Sequence, residues 1–275
     1  MIRAYATIRT GQVHYQTEGS GEPLLLLHQT PVSSDTWTKM APLLANHYRV
    51  IAMDTLGYGK SDPPPRQYDM ADYSQSVVDF LAALGISRAS IVGRHTGACI
   101  AAEVAAGHPG VVDKLVLFGG PNYPPELRRA RLNTSDPAFR PMELKEDGSH
   151  IMTAWRSLVA PTDPFGPDKG PRPLPIPLEE LHVAFVARMA AGTRAEDAHH
   201  AVWTYDVESR LPLIKCPTLL LTGDKDYSYD RLELTRKLIP RCRTGVIKGG
   251  DTFTELAKAE EAAQAILSFL KDPGV

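Results

Sequence analysis

Short apolar runs, each with turn-forming residues close behind, recur along the chain at Pro23-Leu24-Leu25-Leu26-Leu27, Arg49-Val50-Ile51-Ala52-Met53 and Ala89-Ser90-Ile91-Val92. Leu115-Val116-Leu117-Phe118, Pro217-Thr218-Leu219-Leu220-Leu221 and Gly245-Val246-Ile247 repeat the pattern. Runs this short without strict alternation predict strands buried on both faces, as in a parallel sheet. The intervening segments have a different period. Tyr73, Val77, Leu81 and Leu84 fall at steps of three and four, and the stretch from Thr96 to Ala106 is rich in alanine, so both are predicted helices. Alternating strands and helices predict an α/β sheet covered on both faces. Upstream, Ala6-Thr7-Ile8-Arg9 and Val13-His14-Tyr15-Gln16 flank Thr10-Gly11-Gln12, which predicts an antiparallel hairpin at the sheet edge.

The alternation stops between about Pro121 and Leu211. Proline is concentrated from Pro121 to Pro177, including Gly170-Pro171-Arg172-Pro173-Leu174-Pro175-Ile176-Pro177, which predicts a stiff, irregular stretch. Leu178 to Ala191 and Ala195 to Trp203 then read as helices. The expected organisation is a core of residues 1–120 and 212–275, with a mainly helical cap, residues 121–211, inserted after the sixth strand of the main sheet. Tyr123, Phe139, Trp155, Phe165, Phe185 and Trp203 in that insert are expected either to line a pocket or to form the insert's own small core.

Composition narrows the function. The 275 residues are 43% hydrophobic and 23% charged, ordinary globular usage. Thirty Lys and Arg against 32 Asp and Glu give a formal charge of -2 with no basic run, so nucleic acid is not an expected partner. No apolar stretch approaches the roughly 20 residues that span a bilayer. With no leader-like start at Met1-Ile2-Arg3-Ala4-Tyr5, no membrane association and a cytoplasmic location are expected. Cys99, Cys216 and Cys242 form no CxxC pattern and are expected to pack. Oligomeric state is left open, a homodimer included.

The stretch with the most chemistry is Ser90-Ile91-Val92-Gly93-Arg94-His95-Thr96-Gly97-Ala98, a predicted strand turning sharply into a helix. It resembles the nucleophile elbow of the α/β-hydrolase superfamily, whose pattern is G-x-S-x-G, with His95 where the family has serine. Other features extend the resemblance over nearly the whole chain. Leu27-His28-Gln29-Thr30-Pro31 is similar to the family's H-G-x-P oxyanion loop, and Asp54-Thr55-Leu56-Gly57-Tyr58-Gly59-Lys60-Ser61 to its D-x-x-G-x-G-x-S turn. Gly223-Asp224-Lys225-Asp226 resembles the loop carrying the acid, while Gly249-Gly250-Asp251-Thr252-Phe253 places Asp251 where the family has histidine.

The resemblance implies an α/β-hydrolase fold, a mostly parallel eight-stranded sheet flanked by helices, and a site at positions 95, 226 and 251 holding His, Asp and Asp. A serine triad is not available, because no G-x-S-x-G occurs and no histidine follows His200. The expected activity is cofactor-free hydrolysis of a small ester, lactone or related acyl compound. His95 then acts as general base on water or as nucleophile, with Asp251, Asp226 or both as partners. A carboxylate beside the ring is expected to raise its pKa. The alternatives are a lyase using His95 as a base on carbon and a small-molecule-binding homologue without turnover. The family's oxyanion donors map onto the backbone N–H groups of Gln29 and Thr96. His28, Trp37, Tyr123, Trp155 and Trp203 are the expected substrate-facing residues, although His28 also suits a supporting role in its loop. No metal site is expected, since no ligand-spacing motif is present. His199 and His200 read as surface residues.

Overall fold

Leu24, Leu25, Leu26 and Leu27 are all fully buried, which is possible only where a strand has a packed layer on each side. The computed structural model, which describes residues 1–132, 142–159 and 177–272, shows those layers. Eight strands form one sheet: β1 (Ile2–Ile8), β2 (Gly11–Glu18), β3 (Pro23–Leu27), β4 (Arg49–Met53), β5 (Ala89–Arg94), β6 (Val112–Phe118), β7 (Thr218–Gly223) and β8 (Cys242–Ile247). Their order is β1-β2-β4-β3-β5-β6-β7-β8. β2 pairs antiparallel with both β1 and β4, and all other pairings are parallel. The predicted hairpin is present, with Ile8 opposite Gly11.

The helices that cover the sheet are α1 (Ala41–Ala45), α2 (Met70–Ala83) and α3 (Thr96–Gly107). Between β6 and β7 the described residues add α4 (Pro125–Leu132), α5 (Ser149–Val159), α6 (Leu178–Ala191), α7 (Asp197–Thr204) and α8 (Val207–Arg210). The chain then forms α9 (Leu232–Leu238), α10 (Thr254–Ala257) and α11 (Ala259–Lys271). None of the described helices is long and apolar enough to cross a membrane.

Alternation along each strand sorts the core into two layers. Leu25, Leu27, Ile51, Met53, Ile91 and Leu115 meet α2 and α3 through residues such as Tyr73, Phe80, Ile100 and Val104. Leu24, Leu26, Val50, Ala52, Val92 and Val116 face the other way, against Met40, Leu44, Ile266 and Phe269. Each fully buried leucine contributes on the order of 1.5–3 kcal/mol of transfer free energy. Trp37, expected to face substrate, sits in this second layer with no exposed surface. The apolar ring is more favourably packed on Leu24 and Leu26 than left at a wet pocket.

Two polar features hold the loops at the strands' C-terminal ends. Asp54 accepts hydrogen bonds from the Ser34 and Lys60 N–H groups at 2.6 and 2.9 Å and pairs with the His14 ring at 2.7 Å. It thereby joins the turn after β4 to the loop after β3. Tyr58 in the same turn donates to the Ala195 carbonyl at 3.1 Å and accepts from the Ala198 N–H at 3.0 Å, anchoring the start of α7. Trp155 meets Phe185 edge to face at 5.3 Å, joining α5 to α6. Trp203 meets Tyr123 edge to face at 5.0 Å. Those four aromatics therefore pack as two separate pairs, while Phe139, Phe165 and the stretch 170–176 lie outside the described residues.

Candidate active site

β5 ends and α3 begins at a single residue, and that residue is His95. Its φ of 46° and ψ of -106° make it the one non-glycine residue with positive φ among the described residues, a conformation costing about 1–3 kcal/mol. The turn exists because the flanking glycines allow backbone to touch backbone. A Cβ on Gly93 would lie 2.2 Å from the Gly97 carbonyl oxygen, and one on Gly97 would lie 2.3 Å from that of Leu27. β5, α3 and the end of β3 therefore converge on His95, and the His95 N–H donates to the Phe118 carbonyl of β6 at 3.0 Å.

The imidazole is 4% exposed, and both ring nitrogens are engaged. Nε2 lies 3.0 Å from Oδ2 of Asp226, in the loop after β7, and Nδ1 meets the hydroxyl of Tyr227. Burial pushes the Asp226 carboxyl up, but the His95 ring, the Arg94 guanidinium and the Ser228 N–H together hold it well below the usual range. An ionised carboxylate only accepts, so Nε2 carries the ring proton and Nδ1 presents its lone pair to the Tyr227 O–H. Tyr227 Oη in turn lies 2.6 Å from the hydroxyl of Tyr123 and accepts from it. The resulting chain runs Tyr123, Tyr227, His95, Asp226.

The expected upward shift of the imidazole pKa is reversed. Burial is the largest effect and the adjacent Arg94 charge adds to it, so that together they outweigh Asp226 and bring His95 down to about 4. Asp251 also departs from its expected place. Its carboxylate accepts the Phe253 N–H at 3.0 Å in the turn before α10, and only its backbone carbonyl reaches the site, accepting from Arg94 Nη2 at 2.8 Å. The reason is steric and electrostatic: the Arg94 side chain fills the space between the elbow and this last loop.

Arg94 is completely buried. Nε donates to Glu255 Oε2 at 2.9 Å, and Nη2 contacts Asp226 Oδ2 at 3.0 Å and the carbonyls of Asp251 and Thr252 at 2.8 Å each. The guanidinium also lies 4.4 Å from the centre of the Phe118 ring. Room for it comes from Gly119, at φ +76°, where a Cβ would fall 2.1 Å from Nη1 and 2.7 Å from His95 Nε2. Glu255, raised by burial despite the neighbouring Arg94, accepts in addition from Thr36 Oγ1 at 3.0 Å and Gln29 Nε2 at 3.3 Å. Charge in the elbow is thereby tied to the loop after β3.

That loop carries one of the two expected oxyanion donors, Gln29, and the other, Thr96, opens α3. Among the described residues the backbone N–H groups of Gln29 and Thr96 have no acceptor, the latter because it opens α3. His28 is buried and supports the loop: its ring bonds the Gln29 carbonyl at 2.7 Å and accepts the Thr55 N–H at 3.0 Å. Burial lowers its pKa. Both ring nitrogens are thus engaged in bracing the loop. No group of three or more described His, Cys, Asp or Glu residues is placed to hold a metal ion.

A cavity of about 400 Å³ adjoins the polar chain, its wall including Asn122, Tyr123, Leu127, Ala130, Tyr227 and Arg231. This is within the size range of small-molecule sites. A second cavity, about 430 Å³, has a wall that includes His14, Asp54, Lys60 and His182 and shares no described lining residue with the His95 network.

The fold brings the expected His95 and Asp226 together, and with them Arg94, Tyr227 and Glu255, which were not among the residues expected from sequence. A charged residue closing an otherwise apolar parallel strand was the available signal for Arg94, because such a side chain needs buried partners. Tyr227 directly follows Asp226, but nothing in its spacing shows which way the ring turns.

A family model described as alpha/beta hydrolase fold matches residues 22–140. An uncharacterised protein of Mycobacterium tuberculosis is 36% identical over 113 residues, 41% of this chain and 33% of that protein, so the match spans a third of the relative's length. A non-heme haloperoxidase of Rhodococcus erythropolis is 26% identical over 268 residues, 94% of this chain and 96% of that one. The crystal structure of the enol-lactonase from Burkholderia xenovorans superposes with a TM-score of 0.77 at 17% identity, covering 98% of this chain and 100% of that one.

Proposed function

We propose, from the premise that the chain has the fold of the α/β-hydrolase superfamily, that it is a hydrolase of small esters, lactones or related acyl compounds. The observation that carries this reading is the couple at the elbow, His95 Nε2 bonded to Asp226 Oδ2 at 3.0 Å. Asp226 fixes the tautomer and ring orientation, leaving Nδ1 as a general base for an attacking O–H. Such a base contributes on the order of 10² to 10⁴ in rate. The N–H groups of Gln29 and Thr96 supply the oxyanion donors, each worth roughly 10² to 10³. The helical segment between β6 and β7 acts as the cap over the substrate. Turnover of a panel of esters and lactones by the wild-type chain, compared with His95→Ala, tests the reading: no turnover, or turnover unchanged in the variant, defeats it.

The pH dependence follows from the ring. His95 must be neutral to accept a proton, and burial with Arg94 lowers its pKa to about 4. The acid limb of kcat/KM is therefore expected near pH 4, with a flat profile from about pH 5 to 8 instead of a rise through the usual imidazole value of about 6.5. A limb centred near 6.5 would show that the ring titrates as a solvated imidazole.

A further inference from the structure

We propose that Tyr227 is the nucleophile of this site, its phenolic oxygen activated by His95 and oriented toward substrate from the wall of the 400 Å³ cavity. The inference rests on the hydrolase reading above and names the O–H on which the base acts.

Three observations support it. The His95 ring is 4% exposed and its basic nitrogen is already covered by the Tyr227 hydroxyl, so the imidazole does not itself face the cavity. Tyr227 is half-buried and lines that cavity. The order hydroxyl, imidazole, carboxylate in Tyr227, His95 and Asp226 is that of an activated nucleophile, its base and the base's orienting group. The serine hydroxyl that the elbow lacks is thus replaced by a phenol entering from the acid loop. Tyr123, at 2.6 Å, donates to Tyr227 Oη and keeps the remaining O–H of Tyr227 pointed at His95.

In the first step the Tyr227 oxygen forms a bond to the acyl carbon while its proton passes to His95 Nδ1, and the carbonyl electrons move onto the oxyanion. Collapse breaks the bond to the leaving oxygen, which takes the proton from Nδ1, and a tyrosyl ester remains. Water then loses a proton to Nδ1 and attacks the same carbon. Collapse expels the Tyr227 phenolate, which recovers that proton.

The nucleophile selects its substrate. A phenol has a pKa of about 10, so phenolate leaves a tetrahedral intermediate far more readily than a simple alkoxide does. Acyl transfer to Tyr227 goes forward only when the leaving group is comparably stable. The substrate class is therefore activated acyl compounds, namely aryl esters, enol esters and enol lactones, in preference to alkyl esters.

The test uses p-nitrophenyl acetate, phenyl acetate and ethyl acetate with the full chain. Tyr227→Phe is expected to keep the folded circular dichroism spectrum and to lose at least a hundredfold in kcat/KM for both aryl esters. Ethyl acetate is expected to turn over at least a hundredfold more slowly than phenyl acetate. Acid-quenched wild type is expected to carry acetyl on the peptide containing Tyr227, absent in His95→Ala. If the ester turns over too fast to accumulate, the two aryl acetates still partition between added methanol and water in one common ratio. A ratio that differs between them, or Tyr227→Phe within threefold of wild type while His95→Ala is inactive, overturns the nucleophile and leaves the hydrolase reading standing. No turnover and no adduct with any ester overturns both.

Discussion

Asp226→Asn is expected to lower kcat/KM by about 10⁴, with the fold retained, whereas Asp251→Asn is expected to stay within about twofold of wild type. Asp226 Oδ2 accepts from His95 Nε2 and Arg94 Nη2 at 3.0 Å each, and Oδ1 accepts from the Ser228 N–H and hydroxyl at 2.9 and 2.7 Å. An asparagine that keeps its carbonyl on Ser228 turns an N–H donor toward the imidazole. The ring then has to accept at Nε2 and carry its proton on Nδ1, where it no longer has a lone pair for the incoming proton. Loss of the correct tautomer is thus the dominant effect, larger than loss of the charge. Asp251 offers the site only a backbone carbonyl, and its side-chain bond to the Phe253 N–H can be made equally by an asparagine oxygen. Initial rates with p-nitrophenyl acetate for both variants, alongside circular dichroism, check the pair. A large loss in Asp251→Asn with little change in Asp226→Asn would reverse the assignment.

The reason these two aspartates were not separable from sequence lies in the side chain between them. The apolar runs, the hairpin and the elbow glycines were legible because each is a local constraint: buried strands need continuous apolarity, and close backbone approach needs glycine. Asp226 and Asp251 occupy equivalent-looking loops after β7 and β8, and either reaches an elbow residue if nothing intervenes. Arg94 intervenes. It stands between Gly93 and His95 at a position the family pattern leaves open, yet it is pulled inward by Glu255 and Asp226 and occupies the space that an Asp251 side chain would need. The downward shift of the His95 pKa is hidden in the sequence for the same reason, since the sequence shows the carboxylate but neither the burial nor the buried guanidinium. Trp37 was misplaced for a related reason: its indole fits a pocket wall and a core equally well by composition, and only the packing of Leu24 and Leu26 decides. Tyr227 required knowledge of a ring orientation that no periodicity encodes.

Arg94→Met is expected to be the most destabilising single change in the site, by about 3–5 kcal/mol, the range found when one partner of a buried ion pair is removed. That is a large part of a typical total of about 5–15 kcal/mol. The guanidinium is fully buried and faces two carboxylates, Asp226 and Glu255, which the methionine leaves without a cation. Glu255, already raised by burial, then takes up a proton more readily in the folded than in the unfolded chain. A group whose folded pKa is raised stabilises below its unfolded pKa and loses that contribution as pH rises, so the variant's deficit should grow from pH 5 to pH 8. Arg94→Met with Glu255→Gln removes one of the two orphaned charges and keeps an acceptor for Thr36 and Gln29. It should regain at least about 1 kcal/mol of the loss. Urea unfolding of both variants at the two pH values measures this. Equal stability of the single and double variants, or a single variant as stable as wild type, would show that the Arg94 charge is not what balances the site. The same substitution carries a kinetic consequence, because Arg94 is one of the two forces that lower the His95 pKa. Any residual hydrolysis by the double variant should show its acid limb moved upward from pH 4, toward the ordinary imidazole range. Stability and catalysis therefore meet at one side chain: the guanidinium that offsets the buried carboxylates also adds to burial in keeping the elbow imidazole neutral, with its Nδ1 lone pair on the Tyr227 hydroxyl.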